Sequence, residues 1–147
     1  MFAFIQKLIA LLTAMLAFLG FAKGNDKNQE PAADTIATYT VHKNSVVFSF
    51  VSNPSTGYGW QYTLNGDSVV FTTEHFECGD KGNTAGAPGK QFYTFTAEKQ
   101  GKTTVTFIYD RPWENNEPLY NYTAVISVDA DLHVSVESFT KANNVLI

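Results

Sequence analysis

Histidine, cysteine and acidic residues are the side chains of this sequence that could supply a nucleophile, a base or a metal ligand. Glu74, His75 and Cys78 lie within one short segment, EHFEC, and a thiol beside an imidazole can act as a nucleophile pair. His75 and Cys78 are three positions apart, so on an extended strand their side chains point to opposite faces of a sheet. The spacing argues against a catalytic pair. A hydrolase that uses Cys78 and His75 is kept as an alternative, and its activity would be sensitive to thiol alkylation.

The other ionisable residues form no pattern typical of a metal or catalytic site. His42 and His133 lie far apart in the chain, and neither His-x-x-x-His nor paired cysteine spacing occurs. The acidic residues are scattered, without a motif of paired carboxylates. The sequence therefore predicts no catalytic residues, no metal and no cofactor, and indicates a protein that is not an enzyme.

Composition narrows the possible partners. The formal net charge is −4 and no basic stripe is present, which argues against a nucleic-acid partner. Cys78 is the single cysteine, so no intramolecular disulfide can form and the fold must be stabilised by packing alone.

The first residues differ in character from the rest of the chain. Residues 1–7 carry one positive charge, residues 8–22 are almost wholly apolar, and small residues precede a polar stretch. This layout predicts a secretory signal peptide over residues 1–24, with cleavage near Ala22 or Gly24. The alternative is an uncleaved membrane anchor, for which the apolar run is short. Residues 25–34 are polar and contain Pro31, which indicates a flexible leader. We expect an exported protein, in a periplasm, a secretory compartment or the medium, with no membrane association after cleavage.

From residue 35 onward the sequence alternates between apolar and polar residues. Val46, Phe48 and Phe50 fall on one face of a strand, and Val105, Phe107 and Tyr109 fall on one face of another. Further strand-like runs cover residues 37–42, 58–63, 68–77, 91–99, 119–128 and 132–139, and turn residues separate them. About eight short strands with this spacing predict an all-β fold, either a two-sheet sandwich or a barrel. Trp60 would suit the core position that immunoglobulin-like sandwiches fill with tryptophan.

Three loop segments stand out between these strands. NPSTG (residues 53–57, the NPSTG loop) combines Asn, Pro and Gly, which favour a stiff turn. GAPG (residues 86–89, the GAPG loop) has small side chains that leave the backbone open to a partner. RPW (residues 111–113, the RPW loop) directly follows a strand and holds an indole on a proline-stiffened turn.

These motifs, in this order, resemble the chagasin-type family of cysteine protease inhibitors. That family has an Asn-Pro-Thr-Thr-Gly loop, a Gly-x-Gly-Gly loop and an Arg-Pro-Trp loop. GYGW (residues 57–60) and GKTTVTFIYDRPW (residues 101–113) are also similar to the family's flanking strands. The resemblance covers roughly residues 35–130. It implies an immunoglobulin-like β-sandwich of about seven to eight strands with the three loops at one end, and an inhibitor domain over residues 35–147. Residues 131–147 extend beyond the usual family domain, and residues 132–136 could add an edge strand.

The resemblance implies a reversible competitive inhibitor of papain-type proteases whose three loops enter the active-site cleft. Thr56 would lie beside the catalytic residues, the GAPG loop along the non-primed subsites, and Trp113 on an aromatic surface with Arg111 nearby. The implied partner is a papain-like cysteine protease, bound by a monomer. The implied protease-binding residues are Asn53, Pro54, Ser55, Thr56, Gly57, Tyr58, Gly86, Ala87, Pro88, Gly89, Arg111, Pro112 and Trp113.

Two positions depart from the family pattern. Ser55 stands where the family has a threonine, and Pro88 stands where it has a glycine, so the GAPG loop lacks one backbone donor.

The alternative function is a secreted immunoglobulin-like binding or adhesion module that uses the same loops. The inhibitor hypothesis requires the three motifs to cluster at one end of the sandwich.

Overall fold

The computed structural model describes residues 35–79 and 84–142, so the predicted signal peptide, the leader and the last five residues lie outside the described range. The described chain forms eight strands and one short 3-10 turn. The strands are β1 (Ala37–Val41), β2 (Ser45–Ser52), β3 (Gly59–Asn65), β4 (Val69–Cys78), β5 (Gly89–Ala97), β6 (Gly101–Asp110), β7 (Tyr120–Val128) and β8 (Val134–Lys141). Each strand run expected from the sequence corresponds to one of them. In this described part, no helix is long and apolar enough to cross a membrane.

The strands form two antiparallel sheets of four strands, in the orders β1-β2-β5-β4 and β3-β6-β7-β8. An immunoglobulin constant-type domain places strands A, B, E and D in one sheet and strands C, F and G in the other. With the strands lettered in chain order, this protein has the same arrangement and adds β8 beside the last strand. The predicted all-β, immunoglobulin-like sandwich is therefore confirmed.

Aromatic side chains fill the space between the sheets. Phe107 of β6 lies 5.0 Å from Phe48 and 4.7 Å from Phe50 between ring centroids. Trp60 stacks on Phe50 at 4.2 Å and donates its indole N–H to the Val51 carbonyl oxygen at 3.0 Å. Trp60 is buried, as predicted. Because each buried aromatic side chain contributes roughly 1.5–3 kcal/mol, this cluster can stabilise the sandwich without a disulfide.

Strand β8 completes the second sheet. It pairs with β7 from Tyr122↔Lys141 to Val128↔Val134. Its Phe139 contacts Tyr39 and Phe48 of the opposite sheet, with ring centroids 5.6 and 5.3 Å apart. The predicted additional edge strand is confirmed, and its side chains form part of the core.

Candidate functional site

Strand pairing brings the three loops to the same end of the sandwich. Ser52, the last residue of β2 before the NPSTG loop, pairs with Gly89, where the GAPG loop enters β5. Gly59, which follows the NPSTG loop, pairs with Asp110, which precedes the RPW loop. The clustering that the inhibitor hypothesis requires is therefore present.

The NPSTG loop is a compact turn. Pro54–Thr56 forms a 3-10 turn that ends at Gly57, whose backbone is left-handed (φ 81°, ψ −6°). The Asn53 side-chain oxygen accepts hydrogen bonds from the backbone N–H and the hydroxyl of Ser55, at 3.2 and 2.6 Å. The Asn53 backbone N–H donates to the Tyr109 hydroxyl at 3.1 Å. The turn is therefore capped at both ends, as its residue types predict, and it is also tied to β6 through Tyr109.

The polar groups of Thr56 form hydrogen bonds with other residues of this protein. Its hydroxyl and its backbone N–H both donate to the Asn53 carbonyl oxygen, at 2.7 and 3.1 Å. Its own carbonyl oxygen accepts two hydrogen bonds from Arg111. The hydroxyl can donate to a protease, as the family resemblance implies, only if it leaves the Asn53 carbonyl.

Arg111 joins the NPSTG loop to the RPW loop. Its Nε and Nη2 donate to the Thr56 carbonyl oxygen at 3.1 and 2.9 Å. Its Nη1 donates to Oε1 of Glu114 at 2.9 Å, and the guanidinium lies 4.5 Å from the centroid of the Tyr58 ring. In the free chain, Arg111 therefore makes its polar contacts with Thr56 and Glu114.

Glu114 is absent from the predicted site residues. The sequence contained one indication of its role: Glu114 lies three positions after Arg111, a spacing at which opposite charges can pair. Tyr109 was predicted only as an inward-facing strand residue. Nothing in the strand pattern indicated that its hydroxyl reaches the NPSTG loop.

Trp113 is the most exposed large apolar side chain of the described residues, at 69%. Its indole lies against the NPSTG loop, because a methyl group added to Gly57 would lie 3.0 Å from ring atoms Cη2 and Cζ2. Pro112, also exposed, precedes it, and the Glu114 N–H donates to the Arg111 carbonyl oxygen at 2.9 Å to close the turn. An exposed indole on a closed turn is suited to anchor a binding partner.

The GAPG loop contains a second tight turn. The Ala87 N–H donates to the Thr84 carbonyl oxygen at 3.2 Å, and Gly86 between them has a φ of 83°. The Ser55 hydroxyl lies 3.4 Å from the Gly86 carbonyl oxygen. Because the single proton of this hydroxyl is donated to Asn53 at 2.6 Å, the approach to Gly86 is a polar contact, and it places the GAPG loop against the NPSTG loop. The three loops therefore form one continuous surface, the three-loop surface.

The last two residues of the GAPG motif differ in exposure. Pro88 is exposed, and its carbonyl oxygen accepts a hydrogen bond from the Gly79 N–H at 3.0 Å. Gly89 is buried in β5, where an added methyl group would collide with the Glu77 carbonyl oxygen. Gly89 was predicted to bind the protease. In the structure it lies where β4 and β5 can pack together only if this residue is glycine.

His75 and Cys78 do not form a nucleophile pair. The His75 ring stacks on Phe92 with centroids 4.6 Å apart, and its Nε2 lies 3.2 Å from Oε1 of Glu77. Cys78 is an exposed free thiol at the end of β4. His75 pairs with Phe92 and Cys78 with Gly89 across the strands, so the two side chains lie on opposite faces of the sheet.

Asp129, Asp131 and His133 form the one group of potential metal ligands found among the described residues, and all three are exposed. The Asp129 carboxylate already accepts hydrogen bonds from the backbone N–H of His133 (2.8 Å) and of Asp131 (2.9 Å). The bond from His133 holds the pKa of Asp129 below its ordinary value. This geometry is that of an aspartate-capped turn between β7 and β8.

Comparison with known proteins supports an inhibitor. Residues 40–128 match the model of the chagasin family peptidase inhibitor I42, and this range contains all three motifs. A solved structure of the cysteine protease inhibitor EhICP2 from Entamoeba histolytica is 26% identical, with a TM-score of 0.49; the match covers 55% of this chain and 75% of that chain. No curated protein sequence matches the chain. Because the family model covers more than half of the sequence, the chain belongs to the chagasin family, whose members are inhibitors of cysteine proteases and not enzymes.

Proposed function

We propose that this protein inhibits papain-type cysteine proteases reversibly and competitively by inserting the three-loop surface into the active-site cleft. The observation that carries the proposal is the direct contact among the three family motifs. Arg111 bonds to Thr56, Trp113 lies against Gly57, and Ser55 reaches Gly86. Motifs that are distant in sequence therefore form one surface, held by contacts within the protein.

The internal hydrogen bonds of the loops favour tight binding. A loop that is ordered before binding loses little conformational entropy when it binds, so an interface of about 800 Å² per partner can be strong. The NPSTG loop is fixed by Asn53 from within and by Arg111 from the RPW loop. We propose Trp113 as the main anchor, the NPSTG loop as the central wedge, and the backbone around Gly86 and Ala87 as the contact with the non-primed subsites.

The backbone of the NPSTG loop explains why the inhibitor would not be cleaved. Proteases bind the residues around a scissile bond in an extended conformation. Pro54–Thr56 is instead a 3-10 turn, followed by Gly57 in the left-handed conformation. Extending this segment would break the Thr56 hydrogen bonds to Asn53 and Arg111. The turn thus occupies the cleft without presenting a peptide bond in a reactive geometry.

We further propose that the mature protein is exported and acts as a monomer. The support is the apolar segment within residues 1–24, flanked by a charged start and small residues. Expression of the full chain in a secreting host, with sequencing of the exported product, tests this location. A product that begins between residues 23 and 25 supports cleavage, and a product retained at full length in the membrane fraction opposes it. Size-exclusion chromatography with light scattering tests the monomer.

The decisive experiment is a titration of active papain with the purified chain that begins at Asn25, monitored with a fluorogenic peptide. Competitive inhibition at nanomolar to sub-micromolar concentration, reversed by dilution, supports the proposal. Intact inhibitor after prolonged incubation supports the account of the NPSTG loop. If tens of micromolar inhibit neither papain nor a cathepsin L-like protease, the papain-type target is wrong and the alternative binding module is favoured.

A further inference from the structure

Glu114 directly follows the RPW loop and bonds to a side chain of the three-loop surface. Its Oε1 accepts a hydrogen bond from Nη1 of Arg111 at 2.9 Å, and its Oε2 accepts one from Nδ2 of Asn116 at 3.1 Å. The other donors of Arg111, Nε and Nη2, bond to the Thr56 carbonyl oxygen. A continuous chain of hydrogen bonds therefore runs from Asn116 to the tip of the NPSTG loop.

The ion pair between Arg111 and Glu114 is the most shielded of those in the described residues. Its two side chains are 34% and 31% exposed, whereas every other described ion pair has at least one partner more than half exposed. Shielding from water strengthens the attraction between the charges. The three charge-assisted hydrogen bonds that the guanidinium donates also have fixed directions, because its N–H groups lie in one plane.

Glu114 acts on the RPW loop through its backbone as well. Its N–H donates to the Arg111 carbonyl oxygen at 2.9 Å, with Pro112 and Trp113 as the two central residues of the turn. The ends of this turn are thus joined twice, once by the backbone and once by the carboxylate and the guanidinium. The direction of the Trp113 indole depends on this turn.

We propose that Glu114 is a positioning residue for protease binding. It holds the Arg111 guanidinium against the Thr56 carbonyl and thereby fixes the distance between the NPSTG loop and the RPW loop. Glu114 needs no contact with the protease in this role. The inference rests on the proposed function, because it concerns how the same surface is held before the protease binds.

The test compares Glu114→Ala with Glu117→Ala. Glu117 is an exposed carboxylate of the same connection, and the structure gives it no hydrogen bond or ion pair to any described residue. Both substitutions remove one negative charge near the loops, so long-range electrostatics are matched. We expect Glu114→Ala to weaken papain inhibition by about 3- to 10-fold, the effect of losing a partly shielded charge-assisted bond. We expect Glu117→Ala to remain within about twofold of the original protein.

A second measurement follows the hydrogen bonds of Arg111 to Glu114 and Thr56 in the absence of a protease. Arg111 is the single arginine of the sequence, so its Nε–H gives one unambiguous NMR signal. Its exchange with solvent should be slow in the original protein and in Glu117→Ala, and faster in Glu114→Ala. Glu114→Gln keeps an acceptor for Nη1 but loses the charge, so we expect it to restore part of both the protection and the inhibition. Thermal unfolding of each variant checks that inhibition is measured on folded protein.

The outcomes separate the two proposals. If the original protein inhibits no papain-type protease, the proposed function fails, and no positioning role for inhibition exists. If the original protein inhibits papain and Glu114→Ala matches Glu117→Ala, the positioning role is wrong. Faster exchange of the Arg111 Nε–H with unchanged inhibition also overturns it. Glu114 would then hold Arg111 in place without contributing to protease binding.

Discussion

Gly57 is the position at which a single added methyl group should separate backbone strain from the placement of Trp113. Its backbone is left-handed, with φ 81° and ψ −6°. A residue with a side chain pays about 1–2 kcal/mol to adopt this conformation. A methyl group there would also lie 3.0 Å from two carbon atoms of the Trp113 ring, closer than ordinary contact. Gly57→Ala therefore combines a cost within the backbone with pressure on the exposed indole.

The two costs should appear in different measurements. Trp113 is 69% exposed, so its ring can move by a few tenths of an ångström with little loss of folding energy. We therefore expect the free energy of unfolding to fall by about 1–2 kcal/mol, which lowers the unfolding midpoint by about 5–10 °C for a domain of this size. The displaced indole should weaken papain inhibition by about tenfold, since anchor residues at interfaces tolerate little movement.

Gly59→Ala is the matched control, because an added methyl group there meets no atom within 4 Å. We expect it to change neither the unfolding midpoint nor inhibition appreciably. The assays are thermal unfolding followed by circular dichroism and papain titration well below both midpoints. In a Trp113→Ala background, Gly57→Ala should still cost stability but should no longer weaken binding further. Equal midpoints for Gly57→Ala and Gly59→Ala would refute the backbone reasoning, and equal inhibition would refute the displacement of the indole.

Three further predictions concern single side chains. Trp113→Ala should cost about 2–4 kcal/mol of protease binding with an unchanged unfolding midpoint, and a loss below about 0.5 kcal/mol in a papain titration removes its anchor role. Alkylation of exposed Cys78 with iodoacetamide should leave inhibition unchanged, whereas a loss of inhibition would show that the thiol is needed. Burial raises the pKa of Tyr93, whose hydroxyl donates to the Trp60 carbonyl oxygen at 2.9 Å. A raised pKa stabilises the folded state below the ordinary value of about 10 and loses that contribution above it. Denaturant unfolding from pH 8 to 11 should therefore show stability falling above about pH 10, and less so in Tyr93→Phe; identical pH dependence in the two proteins would contradict this.

The strands were predictable because their side chains alternate strictly. Val105, Phe107 and Tyr109 are buried and the residues between them are more exposed, so the inward face of β6 can be read directly from the sequence. Trp60 was placed in the core by analogy with immunoglobulin-like sandwiches, and it is buried there. The pairing order of the strands is not encoded in alternation, and the family resemblance implied only an immunoglobulin-like sandwich.

The three loops of the site were predictable from the sequence, but the hydrogen bonds that join them were not. Residue types identified the NPSTG turn, since Asn53 and Gly57 have side-chain and backbone preferences that operate locally. The direction of the Arg111 side chain depends on Thr56, which is far away in sequence and is brought near only by the pairing of β3 with β6. The family resemblance implied that Arg111 contacts a protease, and in the free protein its donors have partners within the chain.

The position of β8 has a consequence for any shortened version of this protein. The family model ends at Val128, before β8 begins. A chain cut there would leave the N–H and C=O groups of β7 unpaired along one edge and would uncover Tyr122 and Phe48 beside the missing Phe139. Open strand edges next to apolar surface recruit further strands, so copies of the shortened chain should add to one another and aggregate. A soluble inhibitor of minimal length should therefore extend at least through Lys141, thirteen residues beyond the part that sequence comparison recognises.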